Sequence, residues 1–163
     1  MAQSRVPRFE DFPVSSDWKG PSARPLFVRQ ELLPDGDDRY RGSVALDVEA
    51  GPNFAGRYTI ARWSCGTDCI SMIVVDAKTG ALYRSVPFGE LVTSGNPDSK
   101  DHRYAGLSFR TNSRLLVVEG CFDPDTKDPV GRINCNRSYY VWRADRFQRL
   151  DSIPLDTPPW YRR

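Results

Sequence analysis

Four cysteines, Cys65, Cys69, Cys121 and Cys135, are the residues whose spacing most limits the chemistry of this chain. Three pairings are possible, and spacing favours Cys65 with Cys69 and Cys121 with Cys135. Gly66, Thr67 and Asp68, between the first two, are turn formers flanked by apolar segments, so a hairpin would bring both Cβ atoms toward disulfide range. Cys121 closes one strand-like run and Cys135 precedes another, so the second bridge would tie the base of a long loop. Structural zinc uses paired C-x2-C knuckles, and neither spacing matches them. A redox pair reads C-x-x-C at a helix start, whereas this pair lies between strands. Structural disulfides are therefore expected, and with them an oxidising compartment.

Other reactive groups are sparse. His102, the single histidine, lies in the polar run SKDHRY with no nucleophile beside it. Asp123, Asp125 and Asp128 in DPDTKDP look faintly calcium-like. That loop lacks the central Gly and terminal Glu of an EF-hand and carries Lys127 inside it, so solvated loop acids are expected. No phosphate-cradling glycine motif occurs. Arg114, after Ser113 and before LLVVEG, could meet an anion, or bond turn carbonyls or an acid. Two carboxylates working on a glycosidic bond remain an alternative, because 21 acids are present and their separation is a structural quantity. Neither cofactor nor metal is expected.

Aromatic residues fall into two groups. Trp63 and Trp142 are expected in the core. Trp18 and Trp160, in Pro-rich ends, suit surface anchors or a clasp between the termini, and Trp160 with Arg162 and Arg163 has the composition of a protein-binding patch.

Around these groups the chain reads as one domain with mostly β structure. Its 163 residues include 13 Pro and 12 Gly, which favours short strands and many turns. Residues 1–40 read as an extended arm pinning aromatics on the core, with a short strand at Leu26–Arg29. Tyr40, Val44 and Val48 fall on one face of a helix near residues 39–50, which Gly51 and Pro52 would end. Seven strand candidates follow, at 57–63, 69–76, 81–88, 104–110, 114–121, 138–145 and 146–153, making a β core over 54–153. Asp76 and Gly80 give AKTG the chemistry of a turn. Residues 89–102 read as an exposed loop and 154–163 as a Pro-broken tail. An antiparallel meander is expected, as a small barrel, a sandwich or a propeller-like pair of sheets.

The run GPNFAGRYTIARWSCGTDCISMIVVDAKTGALY, followed by SRLLVVEG and YYVW, resembles a family of small exported bacterial proteins of unknown function. The shared pattern is F-A-G-x-Y, W-x-C-G-x-x-C, V-D-x-x-T-G and S-R-L-L-V-V, over residues 51–150. Members often carry His after F-A-G, where this chain has Arg57, so no imidazole chemistry transfers to that position. The resemblance implies export, a β fold and a structural role for the short cysteine pair, and carries no activity.

Charge narrows the partners. Net charge is +2, with 23 basic and 21 acidic side chains interspersed, so no basic stripe offers itself to nucleic acid. No apolar run approaches the ~20 residues that span a bilayer, and the start of the chain is expected to be a mature terminus left after an export signal is removed. The expectation is a periplasmic or secreted, non-enzymatic binding module for a protein of the cell envelope, such as an inhibitor or immunity protein, working through the loop at 122–136. A peptidoglycan- or carbohydrate-acting enzyme and a purely structural envelope protein are the alternatives.

Overall fold

The computed structural model describes residues 5–27, 39–66, 69–84, 87, 91–92, 106–121 and 135–155. A helix, α1 (Arg39–Glu49), precedes eight strands: β1 (Tyr58–Gly66), β2 (Cys69–Asp76), β3 (Leu82–Tyr83), β4 (Leu91–Val92), β5 (Gly106–Phe109), β6 (Leu115–Cys121), β7 (Cys135–Arg143) and β8 (Arg146–Pro154). An antiparallel ladder runs β1-β2-β4-β6-β7-β8, with β3 also on β2 and β5 on β6. The two-residue β4 is where that ladder divides into sheets of three and four strands. No pairing joins β1 to β8, so the barrel among the expected forms is not realised.

Period-two alternation in β1 and β2 explains the layers. Tyr58, Ile60, Met72 and Val74 face the second sheet, where Leu116, Val118, Tyr140 and Trp142 complete one core. Their neighbours Ala61, Ile73 and Val75 face the other way and pack on Tyr40, Val44 and Val48 of α1. A strand buried on both faces must be apolar at successive positions, as IVV is. The expected helical face is the one that docks. Asp47 on α1 also accepts the Arg62 N–H at 2.9 Å, and the Asn53 side chain pairs with the Ile60 backbone. Both satisfy groups on an edge strand that would otherwise invite a second chain.

Four sequence expectations need correction. Among the described residues of 81–88, strand spans only Leu82–Tyr83. The loop at 89–102 contains β4, whose two residues are too few to carry a periodic signal. Strand β7 begins at Cys135, three residues early, because Asn136 opposite Gly120 and Cys135 opposite Cys121 continue the β6–β7 register. Leu26 and Phe27 form no strand, since the arm touches the sheet there through one bond, from Leu26 N–H to the Gly80 carbonyl at 2.8 Å.

The described part of the arm, residues 5–27, makes one 3-10 turn at Phe9–Asp11 and is pinned on the sheets at several points. Ser113 Oγ donates toward the carbonyls of Phe9 and Phe12 and accepts from Leu115 N–H. Arg110 lies over the Phe9 ring at 4.3 Å. Further along, Trp18 N–H donates to Gly56 and Ala23 N–H to Ala77, each at 2.8 Å. Phe27 meets Tyr40 edge-on.

Candidate functional site

Three tight turns meet at one end of the two sheets. The first, FAGRY, closes with reciprocal bonds between Phe54 and Tyr58, and holds Ala55 at φ 45°. The second, DAKTG, forms as its residues dictate. Asp76 Oδ1 accepts Lys78 N–H at 2.8 Å, its carbonyl accepts Gly80 N–H at 2.7 Å, and Gly80 takes φ 77°. The arm passes so close to Gly80 that an added Cβ would collide with the Arg24 carbonyl. The third turn joins β7 to β8 through Ala144 (φ 48°) and Asp145 (φ 57°). Two successive positive angles suit the twist of a two-residue hairpin, yet Asn-Gly is the pair that adopts them without strain.

Between these turns and the arm lies a cavity of about 680 Å³, within the usual range of a small-molecule site. Every non-glycine residue with positive φ among the described residues, Ala55, Ala144 and Asp145, lines it. Strain of about 1–3 kcal/mol per residue persists only where surrounding structure enforces it, and it gathers at functional sites.

A polar network links the turns. Arg57 Nη2 lies 3.1 Å from Asp76 Oδ2 and donates to the Tyr58 hydroxyl at 3.0 Å. That hydroxyl donates to Asp145 Oδ1 at 2.8 Å. Asp76 is 2% exposed and Arg57 44% exposed, so the acid is the buried anchor and the guanidinium faces the cavity. Burial opposes the Arg57 charge, but Tyr58, Asp76 and Asp145 outweigh it and hold the pKa raised. Lys78, Arg114 and Arg143 also line the cavity, against Asp17 and Asp145 as its acids. The lining therefore holds four cationic and two acidic residues, with the Asp76 carboxylate behind Arg57 as a third acid.

Burial, followed by the bond to Asp145, raises the Tyr58 phenol above its ordinary 10.0, with Trp142 and Arg57 pulling down. Tyr83 and Tyr140 are raised too, burial first in both. The folded state thus holds these protons more tightly than the unfolded chain does. Their contribution to stability is complete below about pH 10 and declines as pH climbs through the folded values. In alkaline denaturation, Tyr58→Phe should lose stability less steeply above about pH 10 than the parent protein. Equal slopes would mean that Tyr58 titrates alike in both states.

Of the residues singled out from sequence, Arg114 is at the cavity. Its N–H donates to the Phe12 carbonyl at 2.8 Å and its carbonyl accepts from Trp142 at 2.9 Å. Trp18, expected as a surface anchor or a clasp between the termini, lines the cavity, with Nε1 donating to the Pro21 carbonyl at 3.2 Å. Trp142 is buried in the core at 3% exposure, whereas Trp63 is only half-buried, beneath Tyr40. Asp123, Asp125, Asp128, Trp160 and His102 lie outside the described residues. So do the side chains of Cys65, Cys69 and Cys121. Among the described residues, no group of three His, Cys, Asp or Glu side chains could hold a metal, and no helix is long and apolar enough to cross a membrane. A scan against family models, a search of curated proteins and a search of solved structures each give no match to this chain.

Arg57, Tyr58, Lys78 and Asp145 escaped the sequence reading as site residues. Their one local signal is that each sits in or beside a tight turn.

Proposed function

We propose that the protein is an exported, non-enzymatic binding module that takes an anionic group of a cell-envelope component into the cleft between its arm and its three turns. The carrying observation is the charge of that cleft: Arg57, Lys78, Arg114 and Arg143 line it against Asp17 and Asp145, and with Asp76 behind Arg57 counted the cations still exceed the acids. A site of like sign concentrates ligands of the opposite sign and speeds their capture.

Export is supported by the cysteines. Cys121 and Cys135 stand directly opposite in register, where antiparallel Cα atoms are about 4.5–5.5 Å apart, within reach of a disulfide. Cys135 is buried, and no described cysteine is a free thiol. Cys65 occupies an irregularity in β1 beside the Gly66–Cys69 pair. The resemblance to exported proteins points to the same compartment.

The acids near the cleft favour binding over hydrolysis. A general acid needs apolar surroundings that keep it protonated. Asp76 has one oxygen on Arg57 and the other on Lys78 N–H, while Asp145 is exposed and accepts from Tyr58. Asp17 is exposed beside Lys19.

The test compares three immobilised proteins for what each retains from envelope extract: the parent, Lys78→Glu/Arg143→Glu, and Asp123→Asn/Asp125→Asn/Asp128→Asn. Retention should fall at least about tenfold in the charge-reversed protein, an effect of about 1.4 kcal/mol, and be unchanged in the triple variant. The reverse pattern moves recognition to the 122–136 loop and overturns the cleft reading. Cleavage of the retained material by the parent protein would overturn the non-enzymatic one.

A further inference from the structure

We infer that the ligand of this cleft is an acidic saccharide, a sugar ring carrying a carboxylate; the inference rests on the cleft being the binding site. Three features of its lining converge on that chemistry. Arg57, Lys78, Arg114 and Arg143 supply cations for the carboxylate, and a guanidinium matches its two oxygens in one plane. Asp17 and Asp145 supply acceptors, which suit a ligand rich in hydroxyl donors. Trp18 supplies a flat wall.

That wall is fixed before any ligand arrives. Trp18 is half-buried, its Nε1 is engaged by the Pro21 carbonyl, and its six-membered ring packs against Gly20, where a Cβ would collide with it. Its backbone N–H is held by Gly56 of the first turn. An indole whose N–H is already satisfied offers its π face, and the negative face of an aromatic ring attracts the polarised C–H groups of a pyranose. Rigid placement also lowers the ordering cost of binding.

Rival ligands each leave part of the lining unused. An inorganic oxyanion would use the cations but neither Trp18 nor the acceptors. A neutral sugar would use Trp18 and the acceptors but not four cations. An acidic peptide has no need of a flat wall. A nucleotide brings a planar base and a phosphate, but its ribose gives the two acids fewer hydroxyl donors than a saccharide does.

The experiment titrates the full chain with a hexuronic acid trisaccharide, the same trisaccharide with its carboxyls reduced, a nucleoside monophosphate and inorganic phosphate. Binding is followed by tryptophan fluorescence and calorimetry. The acidic trisaccharide should bind at least about tenfold more tightly than the reduced one, and added salt should narrow the gap. Trp18→Ala should weaken both trisaccharides at least about tenfold, with Trp18→Phe between it and the parent. Lys78→Glu/Arg143→Glu should remove only the preference for the acid. Equal binding of acidic and reduced sugar, or tighter binding of the nucleotide or phosphate, overturns the inference. If no trisaccharide binds while envelope material is still retained through the cleft, the inference fails and the cleft reading stands. If retention has moved to the 122–136 loop, both fail.

Discussion

Asp76→Ala should lower the stability of the folded chain by about 3 kcal/mol, the low end of the cost of stripping one partner from a buried ion pair. The low end applies because Arg57, the partner left behind, is 44% exposed and regains water. The loss has two parts: the ion pair to Arg57, and the bond that folds Lys78 N–H back onto the carboxylate. Asp76→Asn keeps an acceptor for the turn and loses the charge, so it should cost about 1–2 kcal/mol. For a chain of this size each kcal/mol moves Tm by about 2–4 °C, so alanine should melt roughly 10 °C lower. Urea unfolding of Asp76→Ala, Arg57→Ala and the double variant isolates the pair itself. If Asp76→Ala stays within about 0.5 kcal/mol of the parent, an ordinary surface effect, the network does not hold the turns together. Because Asp76 orients Arg57, the alanine variant should also bind anionic ligand more weakly, even where it remains fully folded.

That dependence of a cleft on a turn explains what could be read from the sequence. Turn chemistry is local, so Asp76 and Gly80 announce their hairpin within five residues. Likewise Tyr40, Val44 and Val48 announce a helix and CISMIVVD a strand, while the burial of that strand on both faces is seen only in the structure. The cleft is different in kind. It needs Trp18 from the arm, Arg57 and Lys78 from two turns, and Asp145 from a third, and no spacing rule connects positions so far apart. In the sequence Arg57 is marked only by a resemblance, as the residue standing where F-A-G-x-Y proteins often carry histidine, and that carries no hint of an ion-paired cation. Ala144–Asp145 lacks the Asn or Gly that marks a two-residue turn, so its left-handed backbone was not foreseeable from composition. Leu91–Val92 failed for another reason. A two-residue strand gains its pairing from the ends of β2 and β6, not from any pattern of its own.

Trp142 joins the core to the cleft, and its two substitutions should separate those roles. Its ring meets Phe54, Tyr58, Tyr83 and Phe147 at centroid distances of 4.7–6.3 Å, all edge-on, contacts worth about 0.5–1.5 kcal/mol each beyond burial. Trp142→Ala should therefore cost about 3–5 kcal/mol and leave a cavity below the site. Trp142→Phe should cost far less, about 1 kcal/mol, for a reason beyond the retained ring. The Trp142 Nε1–H is buried and makes no hydrogen bond of good geometry among the described residues, the Tyr58 hydroxyl being close enough only to feel it. A poorly paired buried donor is itself a penalty of up to about 1–3 kcal/mol that phenylalanine removes. Packing lost and desolvation relieved then nearly offset. Denaturant midpoints of the two variants decide the matter. Should phenylalanine prove as damaging as alanine, the indole N–H is bonded in solution, and the Tyr58 hydroxyl is the candidate acceptor, since Trp142 already acts to lower the pKa of that group. Tyr58 would then be fixed from both sides, by Trp142 and by Asp145. The floor of the cleft would be a closed hydrogen-bond chain from the core to the third turn, and loss of ligand binding in Trp142→Phe would follow from breaking it.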